Sequence, residues 1–258
     1  MRETRFEGRT AVVTGGSRGI GAAVARRLAA EGASVVIGYR GSEQAARALV
    51  DELASAGGRA VAVRADVADH EQTGALFERA EAEFGRLDVL ASCAGIEHFG
   101  ALETITPEDF DRVFAVNTRG QLSAVQHAVP RMREGGRIVL TSSVSASKSV
   151  FHHTLYAASK AAVEAMALNL SAELGRKGIA VNAIAPGGTA TDMAAENAAH
   201  YVHPGLAGTQ DTARWLDTAI ALRRLAEPDE IAAAYAFLAS QDAAYMTGRT
   251  LQVDGGMF

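Results

Sequence analysis

Short runs in which apolar residues are nearly continuous alternate along the chain with longer stretches whose apolar positions recur at helical spacing. The first run is Thr10-Ala11-Val12-Val13-Thr14, and after a glycine-rich break comes the helix-like Ala22-Ala23-Val24-Ala25-Arg26-Arg27-Leu28-Ala29. The same pattern predicts strands over 34–38, 60–65, 87–91, 136–141, 181–185 and 249–253. Helices are predicted over 43–56, 69–84 and 231–239, with another entered at Tyr156 and continued by the apolar run 161–168. A long helix also starts at Thr106-Pro107-Glu108-Asp109, which has the form of an N-cap, a proline at the first helical position and acids in the first turn. Strands alternating with helices at this spacing predict an α/β fold, a doubly wound parallel sheet of seven strands with helices on both faces. The ligand of such a sheet lies at the carboxyl ends of the strands.

Between 190 and 224 the alternation is lost, and the stretch contains His200, Tyr201, His203-Pro204-Gly205 and Trp215. Its length predicts either a lid over the substrate or a surface excursion with its own small apolar cluster. No repeat, low-complexity segment or linker interrupts the 258 residues, and 48% hydrophobic content is ample for a continuous core, so one domain over 1–258 is expected.

The break after the first strand is Gly15-Gly16-Ser17-Arg18-Gly19-Ile20-Gly21. Glycines there let backbone approach a pyrophosphate, and the following helix adds its free N–H groups and partial positive charge. The spacing is Gly-x-x-x-Gly-x-Gly, different from the usual dinucleotide fingerprint, so its placement between strand and helix carries the reading. The second strand ends in Tyr39-Arg40-Gly41-Ser42, where a dinucleotide fold usually has an acid on the ribose 2'-hydroxyl. With that acid missing, Arg40 and Arg18 can both reach a 2'-phosphate, and NADPH is expected over NADH. Asp66-Val67 and 92–95 should line the same edge, Asp66 either accepting from an adenine amino group or capping a helix.

Tyr156 and Lys160 stand one turn apart on one helical face. A phenol has an ordinary pKa of about 10, and a lysine beside it lowers the cost of its anion, giving a proton donor suited to carbonyl reduction. Tyr-x-x-x-Lys alone is a common accident. Ser142-Ser143 end the fifth strand, and Asn117 is a poor interior helix residue whose side chain can open the backbone bonding and admit water.

Charge narrows the partners. A net charge of −5 with no cluster of lysines or arginines predicts no nucleic-acid partner. The opening 1–7 has no apolar signal core, and no run of about 18 apolar residues occurs, so a soluble, unexported protein with no membrane partner is expected. The single cysteine, Cys93, excludes an intrachain disulfide and a cysteine-based metal site, which fits a reducing cytoplasm; no metal is expected.

Thr14 to Gly21, Asp66-Val67, Asn117, Ser143, Tyr156-x-x-x-Lys160, Pro186-Gly187 with Thr191, and Asp254-Gly255-Gly256 together resemble the classical short-chain dehydrogenase/reductase family, across essentially the whole chain. The resemblance implies a single-domain Rossmann-type fold and a homotetramer built on the helices carrying Asn117 and Tyr156. It implies that Tyr156 donates a proton to the substrate oxygen, that Lys160 lowers its pKa and holds the nicotinamide ribose, and that Ser143 bonds the carbonyl. Asn117 is implied to hold a water linking Lys160 to solvent. The cofactor set it implies comprises Gly15, Ser17, Arg18, Gly19, Ile20, Gly21, Tyr39, Arg40, Ser42, Asp66, Val67, Gly95, Asn117, Tyr156, Lys160, Pro186, Gly187, Thr189 and Thr191. One departure is Cys93-Ala94-Gly95 in place of the family's Asn-Ala-Gly; Cys93 is read as a packed thiol, not a nucleophile.

Three segments are more closely similar to polyhydroxynaphthalene and versicolorin-type reductases: 110–121, 136–143 and 185–193, with 200–205 resembling their lid. On that likeness Ser143, Ser145, His153, Tyr156, Gly188, Tyr201 and Trp215 are candidate substrate contacts. The function implied is an NADPH-dependent ketoreductase of a polycyclic aromatic or polyketide-derived ketone. The alternatives are a 3-oxoacyl thioester reductase, an alcohol or sugar dehydrogenase, and a silent NADP-binding sensor.

Overall fold

A computed structural model of the chain describes residues 4–201 and 219–257. Seven strands form one parallel sheet: β1 (Thr10–Thr14), β2 (Ser34–Tyr39), β3 (Arg59–Arg64), β4 (Leu87–Ser92), β5 (Met132–Thr141), β6 (Ala180–Pro186) and β7 (Thr250–Val253), in the order β3-β2-β1-β4-β5-β6-β7. The strand order reverses between β1 and β4, which opens a crevice at their carboxyl ends. Register brings those ends into line, with Thr14 opposite Ser92, Ser92 opposite Leu140, and Pro186 opposite Val253.

Every residue of β1, β2 and β6 is buried, because helices cover both sheet faces. Side chains alternate between the faces along a strand. Val13, Val35, Ile37 and Val139 therefore face a core shared with α1 (Gly19–Ala30) and α8 (Pro228–Ala239), through Leu28, Ile231, Tyr235 and Leu238. Val12, Val36, Leu90 and Ile138 face the opposite core. There they meet Leu76 and Phe77 of α3 (His70–Phe84), Ala124 and Ala128 of α5 (Gly120–Ala128), and Val163 and Ala167 of α6 (Thr154–Leu174). The remaining helix of the first half, α2 (Glu43–Ser55), buries Ala46, Leu49 and Leu53.

Two elements depart from the sequence expectation. The helix begun at Pro107 is not continuous: α4 (Pro107–Phe114) passes into a π-helical turn, Ala115–Arg119, before α5. Within it Gly120 N–H donates to Ala115 O, and Asn117 occupies the widened turn, so its side chain bonds outside the helix. The stretch after β6 is also less irregular than read. Thr191 Oγ1 accepts from Ala194 N and starts a short helix, α7 (Asp192–Glu196), followed by the 3-10 turn Ala198–His200. Trp215 and 202–218 lie outside the described residues. No described helix is long and apolar enough to cross a membrane.

Candidate active site

At the end of β1 the chain doubles back against the exit of β4. Gly15 takes φ +63°, and a Cβ placed there would lie 2.7 Å from Ala94 Cα; one on Gly21 would lie 2.3 Å from Gly15 O. The helix that follows opens at Arg18 without a side-chain cap and without an acid in its first turn. Its first N–H groups are therefore free for an anion. Gly15→Ala combines overpacking with an unfavourable backbone angle and is expected to cost about 1–3 kcal/mol of stability, read by denaturant unfolding.

Tyr156 and Lys160 project from the first turns of α6 toward the same edge. Lys160 is buried, its Nζ 5.4 Å from the Tyr156 ring centroid and donating to Thr141 O at 3.0 Å. Burial pushes the ammonium down to about 8, against the attraction of Glu97 and Cys93. At the end of β5, Ser143 is buried and its Oγ accepts from Ser145 N at 3.2 Å.

These groups share one cavity of about 450 Å³. Gly15, Ser17, Arg18, Gly19, Ile20 and Gly21 form its wall at the β1 turn. Tyr39 ends β2 and Arg40 and Ser42 follow it, Asp66 and Val67 follow β3, and Gly95 comes from the exit of β4. Ser143, Ser145, Tyr156 and Lys160 lie deeper along the edge; Pro186, Gly187, Gly188, Thr189, Thr191 and Tyr201 close the β6 side. Asp66 Oδ1 accepts from Ala68 N, while the cap of α3 is Asp69. Arg40 is exposed at the cavity, and its carbonyl accepts from Arg64 Nε at 3.3 Å. Arg18 NH1 stands 3.9 Å from Asp192 and 3.7 Å from Glu196 of α7.

A family model described as Enoyl-(Acyl carrier protein) reductase matches residues 15–258. The chain belongs to the short-chain dehydrogenase/reductase family. It is 45% identical over 252 residues to the hydroxynaphthalene reductase-like protein Arp2 of Metarhizium robertsii, covering 96% of this chain and 94% of that one. The versicolorin reductase stcU of Emericella nidulans is 43% identical over 259 residues, with 98% and 97% covered. A short chain dehydrogenase from Burkholderia cenocepacia, solved in complex with NADP, superposes with a TM-score of 0.88 at 39% identity and 98% coverage of both chains.

Three of the expected site residues have surroundings that spacing alone does not show. Asn117, read as holding a water that links Lys160 to solvent, is fully buried and does not line the cavity. Its Oδ1 accepts from Ile96 N at 2.9 Å, and its Nδ2 donates to Ile96 O at 2.9 Å and to Ser159 Oγ at 3.1 Å, so it braces the turn after Gly95. A Cβ on Gly95 would come within 3.3 Å of Lys160 Nζ and 3.4 Å of Asn117 Oδ1, which is why a glycine separates them. His153, expected in the substrate pocket, is buried behind Tyr156 and stacks on its ring at 4.4 Å. The Tyr156 phenol, expected to be lowered by Lys160, is instead pushed above its ordinary value. Burial is the main cause and the Glu97 carboxylate the second, with Ser143 acting the other way.

Glu97 is the residue that sequence reasoning missed. It lines the cavity two positions beyond Gly95. The signal was its place at the exit of a central strand, where the crevice of a doubly wound sheet lies. Cys93, half-buried at the same cavity, has its thiol pushed up to about 12 by desolvation, with Tyr235 and Thr141 as hydrogen-bond partners. Alkylation of Cys93 by iodoacetamide at neutral pH is expected to run at least about a hundredfold slower than that of a free cysteine, followed by mass spectrometry.

Proposed function

We propose that this chain is an NADPH-dependent ketoreductase acting on a carbonyl of a polycyclic aromatic or polyketide-derived substrate. The observation that carries the reading is the one cavity joining the glycine turn and the β2-end cation to Ser143, Tyr156 and Lys160. Its residues fit a phosphorylated dinucleotide. Cβ atoms at Gly15 and Gly21 would fill the cradle, the start of α1 leaves N–H groups for a pyrophosphate, and Tyr39-Arg40-Gly41-Ser42 holds a cation where an acid would repel a 2'-phosphate. The complex of the Burkholderia cenocepacia relative with NADP supports the same choice.

In this reading Ser17, Gly19, Ile20 and Gly21 hold the pyrophosphate, and Arg40, with Arg18, Tyr39 and Ser42, the phosphorylated ribose. Asp66 and Val67 flank the adenine; Gly95, Lys160, Pro186, Gly187, Thr189 and Thr191 hold the nicotinamide half. The cofactor, when bound, supplies the hydride. Ser143 donates to the substrate carbonyl oxygen, and Tyr156 delivers a proton to that oxygen as it becomes an alcohol. Lys160, charged at neutral pH with its pKa at about 8, stabilises the phenolate left behind. Asn117 acts from beneath by holding the turn that carries Gly95. Ser145, Gly188 and Tyr201 border the space left for a ring system, and the names of the two reductase relatives support a fused-ring substrate. A homotetramer belongs to the same reading, supported by exposed Phe110, Leu122 and Leu168 on α4, α5 and α6.

The test is NADPH consumption, with NADH alongside, on a hydroxytetralone and on a short 3-oxoacyl thioester. NADPH-selective reduction of the ring ketone is expected. Preference for the thioester would keep the reductase chemistry and sink the aromatic substrate class.

A further inference from the structure

Glu97 lines the cavity with only 6% of its side chain exposed, set among His153, Tyr156, Lys160 and Tyr201. Its Oε1 accepts from His153 Nε2 at 3.0 Å and from the Tyr201 hydroxyl at 2.5 Å. Its Oε2 is buried with no hydrogen-bond partner. Phe99 shields the group, stacked on His153 at 4.3 Å and edge-on to Tyr201 at 5.1 Å. A buried carboxyl oxygen without a geometric hydrogen-bond partner is one of the features that calls for a functional cause. An amide or an apolar side chain of the same length would serve a merely structural contact at lower cost.

His153, held by Glu97, lies flat on Tyr156 with ring centroids 4.4 Å apart and planes 13° apart. Contacts thus run from Tyr201, at the end of the Ala198–His200 turn, through Glu97 to Tyr156, both by way of the His153 ring and from the Glu97 carboxyl to the phenol itself. We propose that Glu97 is a positioning residue that couples Tyr201, on the β6 side of the cavity, to the seat of the Tyr156 phenol, directly and through His153. The inference rests on the reading of Tyr156 as the proton donor.

The charge of Glu97 adds a readout that packing alone would not move. Lys160 and His153 face Tyr156 from α6 and its N-cap, Glu97 from the exit of β4, Ser143 from the end of β5, and Tyr201 from beyond α7, while Cys93 faces Lys160. Glu97 is the member of this group whose negative charge opposes loss of the phenol proton, and the burial of Tyr156 works in the same direction. Glu97→Gln keeps the shape and removes the opposition, so the phenol should ionise at lower pH.

The experiment uses the full chain as wild type, Glu97→Gln, Tyr201→Phe and the double variant. The reverse reaction, oxidation of the ring alcohol with NADP, needs the Tyr156 phenolate as base, so its rate rises with pH until the phenol is ionised. The rise is expected to level off at least about one pH unit lower in Glu97→Gln than in wild type. In turnover, Tyr201→Phe is expected to lower kcat about three- to tenfold in wild type and less than about twofold in the Glu97→Gln background. An unchanged pH profile, or multiplicative effects of the two substitutions, overturns the proposal. Glu97→Met, close in length and without a hydrogen-bonding group, carries the same expectations if the amide variant folds poorly. The activity of Tyr156→Phe tests the proton-donor reading separately.

Discussion

Tyr156→Phe leaves NADPH binding within about twofold of wild type while kcat falls by about 10²–10⁴-fold, the range that a positioned general acid contributes. The substitution removes one oxygen and leaves the ring stacked on His153, so the wall of the cavity keeps its shape. Lys160 keeps its bond to Thr141 O, which does not involve the phenol. Binding is read by quenching of protein fluorescence on NADPH addition, turnover by NADPH consumption with a ring ketone. Near-normal turnover would remove the phenol from the mechanism. The direction of the Tyr156 shift adds a detail: a phenol pushed upward is a protonated donor throughout the neutral range, so reduction should not be limited by its ionisation at pH 7.

Arg40→Asp should weaken NADPH binding about 10–100-fold, the worth of a charge-assisted hydrogen bond to a phosphate, and leave NADH binding within about threefold. The contrast arises because β2 ends without a carboxylate, and the new aspartate both removes the cation and offers the acceptor that a ribose 2'-hydroxyl prefers. Arg18 is the weaker candidate, since Asp192 and Glu196 already stand within 4 Å of it. Dissociation constants for both cofactors, measured on wild type and variant, decide the matter. Equal losses for the two would show that Arg40 does not read the phosphate.

Much of this protein was legible along the chain because its signals are local. Strands such as Thr10–Thr14 and Ala180–Pro186 are covered on both faces, so they read as nearly continuous apolar runs. The caps Thr106 and Glu227 announce their helices through backbone N–H groups three residues away. The glycine turn and the Tyr156–Lys160 pair are likewise spacings within a single turn of chain, and their meeting at one sheet edge follows from the parallel order of the strands. The sequence by itself therefore determined the fold class, the edge that carries the site and most of the cavity wall.

What it could not contain were the contacts between segments far apart in the chain. Asn117 reads as a polar residue in a helix; only the approach of Ile96 and Ser159 decided which partners its amide takes, and that it braces the turn after Gly95. Glu97 reads as an ordinary acid in a loop. Its significance comes from His153 and Tyr201, 56 and 104 residues further on, which converge on one oxygen and leave the other unpaired. The Tyr156 shift has the same origin. An adjacent lysine is visible as a four-residue spacing, but burial and the Glu97 carboxylate, arriving from the loop after β4, are not, and in the folded chain these push the phenol upward.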